Sequence, residues 1–146
     1  MKIKLGNLLA EASDYDAIMH GCNCFHGEDS GVAGQLWDKY PVARLASRED
    51  HDSGDFGVLG TYVSVYEQME RFTIINAYTQ YHGGAAFQIA AFIHILKQVN
   101  EDFHGSSIAI PLIGAGIGGG DWMDIQSALL IYAPDIKWTV IVWDES

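Results

Sequence analysis

The sequence predicts an α/β protein: a three-layer α/β/α sandwich around a mixed, mostly parallel six-stranded sheet. Three observations lead there. Residues 108 to 113 form a continuous apolar run of the length of a strand buried on both faces, which opens into five glycines within residues 114 to 120. Asp121 follows as the N-cap of a helix. Strand-like and helix-like patterns then alternate along the rest of the chain, interrupted once by a hairpin, which makes the sheet mixed.

Taken in order, Lys2 to Leu5 alternate as a short strand that stops at Gly6-Asn7, and residues 8 to 12 make a brief helical turn. A second strand over residues 16 to 20 ends in the small and polar loop 21 to 27. Asp29 or Ser30 caps a helix over residues 31 to 40, where Val32, Leu36 and Tyr40 recur at helical spacing and Pro41 marks the stop. Residues 43 to 56 are polar and read as partly helical, then as an exposed loop; residues 43 to 57 are a candidate lid. Strands over residues 58 to 66 and 72 to 78 pair as an antiparallel hairpin. The longest helix is expected over residues 85 to 103, with Phe92, Ile95, Leu96, Val99 and Phe103 as its apolar stripe and Gly105 as its stop. A helix over residues 121 to 132, ended by Pro134, and a strand over residues 136 to 143 close the chain.

With 146 residues and 49% hydrophobic content, one domain with a substantial core is expected. Eight Lys and Arg against nineteen Asp and Glu, a net charge of -11, exclude an extended nucleic-acid groove. A phosphate-bearing ligand is then small and held by backbone N-H groups, because surface charge is screened over about 8 to 10 Å. The two cysteines, Cys22 and Cys24, are too close to staple a fold, and no signal peptide or membrane span is visible; a soluble, cytoplasmic, reduced monomer is the expectation.

Ligands in such sheets lie beyond the carboxyl ends of the strands, where the glycine loops emerge. Gly114-x-Gly116-x-x-Gly119 matches the dinucleotide fingerprint, with Asp144 at the distance of a ribose contact, but too little chain follows it for that fold. His20, Cys22, Cys24 and His26 are ligand types spread over roughly 20 Å if extended, too far for one ion, so neither metal nor cofactor is expected. Cys22 or Cys24 with His20 or His26 as base remains a nucleophile candidate beside its alternative, buried structural thiols. His82, next to Gly83-Gly84, lies in a loop that reaches the same mouth. Asp121 is a helix cap first and a candidate general base second.

Gly6-Asn7, Asp16 to Asn23, Ser30-Gly31-Val32-Ala33 and Pro111 to Ile117 together resemble the macrodomain family, the ADP-ribose-binding α/β/α modules. The resemblance runs through nearly the whole chain. It is nearest in flavour to the branch with ADP-ribose 1″-phosphate phosphatases, whose His-x-Cys-Asn-Cys element is similar to residues 20 to 24, and to small phage and bacterial stand-alone macrodomains. It implies Asn7 and Leu8 at the adenine, with Trp143 packing near it. Asn23 is implied near the distal ribose, flanked by Gly21 and Cys22, with Gly31, Val32 and Ala33 along the diphosphate and that ribose. Ile113, Gly114, Ala115, Gly116, Ile117, Gly118 and Gly119 are implied around the diphosphate.

The chain departs from the family where Asn7 replaces an aspartate, where Ala33 replaces an acid of many hydrolases, and where Gly118 or Gly120 replaces an aromatic. Gln80 and Gly118 stand where another branch has its catalytic lysine and aspartate, which disfavours lysine-based de-ADP-ribosylation. The remaining catalytic set is His20, Asn23 and Asp121, one acid or base positioning water and the other assisting the leaving ribose oxygen, in hydrolysis of ADP-ribose 1″-phosphate. A non-catalytic reader of ADP-ribose, a hydrolase acting on an ADP-ribosylated macromolecule such as protein, and an unrelated nucleotide enzyme are the alternatives.

Overall fold

A computed structural model describes residues 1–27, 31–116 and 118–143. Six strands form one sheet in the order β1-β6-β5-β2-β4-β3: β1 Lys2–Gly6, β2 Ala17–Cys22, β3 Tyr62–Glu67, β4 Phe72–Tyr78, β5 Ser107–Ile110 and β6 Lys137–Trp143. All neighbours are parallel except the hairpin pair β3 and β4. Five helices cover the faces: α1 Leu8–Glu11, α2 Gly31–Lys39, α3 Pro41–Asp50, α4 Ile89–Asp102 and α5 Trp122–Tyr132. The expected sandwich and the mixed, mostly parallel sheet are therefore present. No helix among the described residues is long and apolar enough to cross a membrane.

The central strands are apolar on both faces because both faces are covered. Ala17 and Met19 of β2 pack with Phe92, Ile95, Leu96 and Val99 of α4 and Leu129 of α5. Ile18 and Cys22 face the other layer, with Leu36 and Trp37 of α2 and Ala43 of α3. The four α4 side chains are fully buried, and at about 2 kcal/mol each they hold that helix down against its ordering entropy.

Several boundaries differ from the sequence expectation for local reasons. Pro41 ends α2 and also begins α3 at its first helical position, where its missing N-H costs nothing; α3, running to Asp50, is the helical part expected within residues 43 to 56 and starts two residues earlier. Residues 85–88 are not helix: Phe87 bridges to Gln80, and its N-H bonds to the Gly118 carbonyl 3.1 Å away. The segment expected to begin a strand at Val58 is a 3₁₀ turn, Phe56–Val58, capped by Asp55. β5 stops at Ile110 because Pro111 has no N-H for the ladder. Asp121 caps α5 as expected, accepting from Met123 N at 2.9 Å. The caps expected at Asp29 or Ser30 lie outside the described residues.

Two features position the site. β2 and β5 pair only through Ala17↔Ile108 and Ile18↔Ala109, so the strands part toward their carboxyl ends. Connections from β5 run to one side of the sheet and those from β2 to the other, the switch point at which α/β proteins form a crevice. Beside it, the fully buried Asn76 of β4 accepts from His20 Nε2–H at 2.6 Å and Trp37 Nε1–H at 3.2 Å. It donates through Nδ2 to the Ala43 carbonyl at 2.8 Å. One amide thus ties β2, β4, α2 and α3 together.

Replacing Asn76 by Leu strands two buried donors and one carbonyl, and should lower unfolding stability by about 4 kcal/mol in urea titrations. His20 adds a pH dependence. Burial, only partly offset by the Asn76 bond, lowers its pKa to about 4. The unfolded chain therefore takes up a proton below about pH 6.5 that the folded protein refuses until about pH 4. This contribution is complete above pH 6.5 and should fall by about 3 kcal/mol as pH drops to 4. Urea midpoints of wild type and His20→Gln should converge over that range; parallel profiles would contradict the linkage.

Candidate functional site

A cleft of about 510 Å³ opens at the carboxyl ends of the parallel strands, within the range of small-ligand sites. Sheet order dictates what lies along it. Leu8 follows β1; Ile141, Val142 and Trp143 end β6; the glycine loop follows β5; Asn23 follows β2; Thr79, Gln80, Gly83 and Gly84 follow β4. At about 4.8 Å per strand, four strand spacings span roughly 19 Å. The cleft therefore runs from an apolar end, past a glycine-lined middle, to a polar end.

In the middle, the glycines divide into two kinds. A β-carbon on Gly114 would stand 2.5 Å from the Phe87 ring and one on Gly120 2.6 Å from it, and one on Gly119 would meet Ala85 at 3.1 Å. Gly114 and Gly119 also have φ of 75° and 78°, which favours glycine. These glycines let the loop pack against the 85–88 segment, a correction to the expectation that all five clear space for a ligand. Gly116 is different: a β-carbon there would meet nothing within 4 Å.

The amide groups divide in the same way. Those of Ile113, Ala115, Gly119 and Gly120 bond to carbonyls inside the loop. Those of Gly114, Gly116 and Gly118 have no partner among the described residues, and these are the three loop glycines that line the cleft. Opposite them, Gly31, Val32 and Ala33 line it with the first turn of α2, whose amides have no intrahelical acceptor. Backbone amides thus line the cleft from two sides, and none of the described lining side chains is a lysine, arginine or carboxylate.

The expected catalytic residues are placed less favourably. His20 lies along the cleft floor but is 1% exposed, with Nε2 committed to Asn76 and its ring edge-on to Trp37. A side chain sealed in this way serves the fold. Asp121 caps α5 through Oδ1 and is not among the described residues that line the cleft. Asn23 does line the cleft, 5% exposed, its Oδ1 accepting from Phe25 N at 2.8 Å and shaping the loop.

The nucleophile and metal candidates separate too. Cys24 is fully buried, points to the Gln80 carbonyl, and has its thiol pKa pushed up to about 11 by burial, with Asp55 adding to it. Such a thiol is protonated and shielded, the opposite of an activated nucleophile. Cys22, with Sγ 3.8 Å from His20 Nδ1, is buried as well. His26 turns away to Ser47 and the His51 carbonyl.

Asn7 caps α1, its Oδ1 accepting from Leu9 N and Ala10 N at 3.0 and 3.3 Å. Its side-chain oxygen is therefore spent on the helix, and Leu8, not Asn7, lines the cleft. Ala115 and Gly119 do not line it either, whereas Gly21, Cys22, Ile113 and Trp143 do. Ile117 and Asp144 lie outside the described residues. No described residue of the 43–57 segment lines the cleft. His82 is turned onto the Gly83 carbonyl, while its neighbours Gly83 and Gly84 reach the mouth. The sequence reading gave Thr79, Gln80, Ile141 and Val142 no place in the binding site; their position just past buried strands was the available signal.

No family model matches the chain. It is 36% identical over 146 residues to an uncharacterized 17.5 kDa protein from the tk-vs intergenic region of Enterobacteria phage T4, covering 95% of this chain and 94% of that one. It is 28% identical over 130 residues to the DNA ADP-ribosyl glycohydrolase of Mycobacterium tuberculosis, covering 86% of this chain but only 36% of that enzyme. The chain thus spans about a third of the mycobacterial relative. Its structure superposes on the macrodomain of Mycobacterium tuberculosis DarG with a TM-score of 0.72 and 25% identity, over 99% of this chain and 98% of that one. It also matches Thermosipho africanus DarTG, solved in complex with ADP-ribose, with a TM-score of 0.76 and 13% identity over 98% of this chain and 41% of that one. With one relative matched along nearly its whole length and a macrodomain matched end to end, the chain belongs to the macrodomain family.

Proposed function

We propose that this protein binds ADP-ribose, free or as the terminal group of a modified macromolecule, along the cleft. The observation that carries the reading is the order of surfaces across the strand ends: apolar wall, amide groups with no partner among the described residues, polar end. That order suits a base, a diphosphate and a ribose in sequence. Leu8, Ile141, Val142 and Trp143 would hold the adenine, the amides of Gly114, Gly116 and Gly118 and the first turn of α2 the phosphates, and Asn23 with Gln80 the terminal ribose. The ADP-ribose complex of the Thermosipho relative supports the same ligand.

Binding without turnover is the better-supported form of this reading. The titratable side chains lining the cleft are His20 and Cys22, both buried, so among the described lining residues there is no exposed acid or base to activate water. Among the described lining residues, hydrolysis of ADP-ribose 1″-phosphate would then rest on Asn23 and amide groups. A second reading, removal of ADP-ribose from a macromolecule, is favoured by the likeness to the mycobacterial glycohydrolase. Loss of label from an ADP-ribosylated DNA or protein would identify it, and release of inorganic phosphate would identify the phosphatase.

Calorimetry tests the binding itself. ADP-ribose should saturate one site and bind more tightly than AMP or NAD; tighter binding of NAD would point to a different nucleotide protein. Gly116→Glu should fold normally, because the new β-carbon has open space, yet weaken ADP-ribose roughly a hundredfold by setting a carboxylate against the diphosphate. Unchanged affinity in the folded variant would put the ligand elsewhere.

A further inference from the structure

Three aromatic side chains stand together beside the loops that form the polar end of the cleft. The Phe25 and Tyr81 rings meet edge to face with centroids 4.9 Å apart, and Phe56 meets Tyr81 in the same way at 5.2 Å. Phe25 is 42% and Phe56 64% exposed, so the cluster offers ring surface to solvent. It is also held in place. Tyr81 OH donates to the Gly54 carbonyl at 2.8 Å and Ser53 Oγ to that of Phe25 at 3.1 Å, while a β-carbon on Gly54 would stand 2.9 Å from the Phe25 ring. Rings fixed in this way lose little freedom when a partner covers them.

The cluster continues the cleft outward. Phe25 lies in sequence between Asn23 and Gly27, and Tyr81 between Gln80 and Gly83, four residues that line the cleft. Cys24 N donates to the Tyr81 carbonyl at 2.9 Å and ties the two loops together. A macromolecule joined to a ligand group beside Asn23 would lie against these rings. The charge around them has one sign: residues 48 to 56 contribute Glu49, Asp50, Asp52 and Asp55 against Arg48, and residues 23–27 and 80–84 include no lysine or arginine. Asp52 and Asp55 are exposed on either side of Ser53 and Gly54, next to Phe56. Ring faces bordered by carboxylates attract a guanidinium or ammonium group. They would also stack a nucleobase, but each nucleotide brings a phosphate that the same carboxylates repel. We propose that this aromatic and acidic rim docks a cationic stretch of polypeptide, so that the macromolecule bearing ADP-ribose is a protein modified close to arginine or lysine. This rests on ADP-ribose occupying the cleft and adds the class of carrier that the rim accepts.

The test titrates the protein with free ADP-ribose and with three carriers. These are a peptide ADP-ribosylated on one serine and flanked by arginines, the same peptide flanked by glutamates, and a single-stranded oligonucleotide ADP-ribosylated on one base. Where the protein removes the label, initial rates replace affinities in the same comparison. The arginine-flanked peptide should bind about tenfold more tightly than free ADP-ribose, and the glutamate-flanked peptide no more tightly. Phe56→Ser and Asp52→Lys, both at exposed positions, should each cut that gain to about threefold or less, with free ADP-ribose affinity and melting temperature close to wild type. Phe56→Ser leaves the charge unchanged, so it separates the rim from the general attraction of a cation to an acidic protein. Equal binding of the two peptides, an oligonucleotide that binds as tightly as the arginine-flanked peptide, or a full gain retained in Phe56→Ser would overturn the proposal while leaving ADP-ribose binding intact. A wild-type protein that does not bind free ADP-ribose would overturn the binding reading itself and this proposal with it.

Discussion

The buried amide of Asn76 is the constraint on which the rest depends. It sits opposite His20 in the β2–β4 register and is the meeting point of two strands and two helices. Each of its bonds fixes something the cleft needs. The bond from His20 holds the strand that carries Gly21 and leads into Asn23. That from Trp37 holds α2, whose first turn faces the cleft two turns earlier in the helix. The bond to Ala43 holds α3 behind it. A buried polar network is costly when half satisfied and rigidifying when complete, and these three bonds complete most of the capacity of one amide. The histidine that resembles a catalytic base is thus part of the frame that sets the cleft-lining first turn of α2.

Phe87 has the corresponding role on the other side. Its ring fills the space left by the missing β-carbons of Gly114 and Gly120, and its N-H bonds to the Gly118 carbonyl. The glycine loop is consequently stiff where it touches this ring and open only at Gly116. Rigidity here has a functional meaning: amide groups that already point at the ligand lose little entropy on binding. A loop rich in glycine for flexibility alone would have to be ordered by the ligand first.

Order of elements was legible in the sequence, because buried parallel strands are unbroken apolar runs and glycine, proline and Asp121 punctuate them. The site was legible in outline for the same reason: it lies where glycine loops leave buried strands. What stayed hidden depended on contacts between distant residues. Helical spacing continues backward from Phe92 to Ala85, but Phe87 is drawn out of the helix by the glycine loop about thirty residues away, and tertiary packing overrides the local pattern. His20 carries no local mark of its burial under Trp37. Nor does Gln80 show in sequence that its amide is turned by carbonyls two and four residues on. Asn7 was visible both as a turn residue and as an adenine contact, and the first of these uses its oxygen.

An acidic protein can hold a diphosphate with no cationic side chain among the described cleft residues because of the range of the forces involved. The net charge of -11 acts through solvent and is screened within about 8 to 10 Å, while amide groups act at hydrogen-bond distance in a partly dry site. A hydrogen bond to a charged acceptor contributes about 1.5 to 3 kcal/mol, so three loop amides together with the first turn of α2 can offset the desolvation of two phosphates. Dipoles also differ from lysine in kind. Fixed by backbone, they reward an anion at one place and offer little to a polyanion arriving from elsewhere, whose approach the acidic exterior opposes. In the proposed binding mode, selectivity for a small diphosphate over a long nucleic-acid backbone therefore comes from the same arrangement that would bind it.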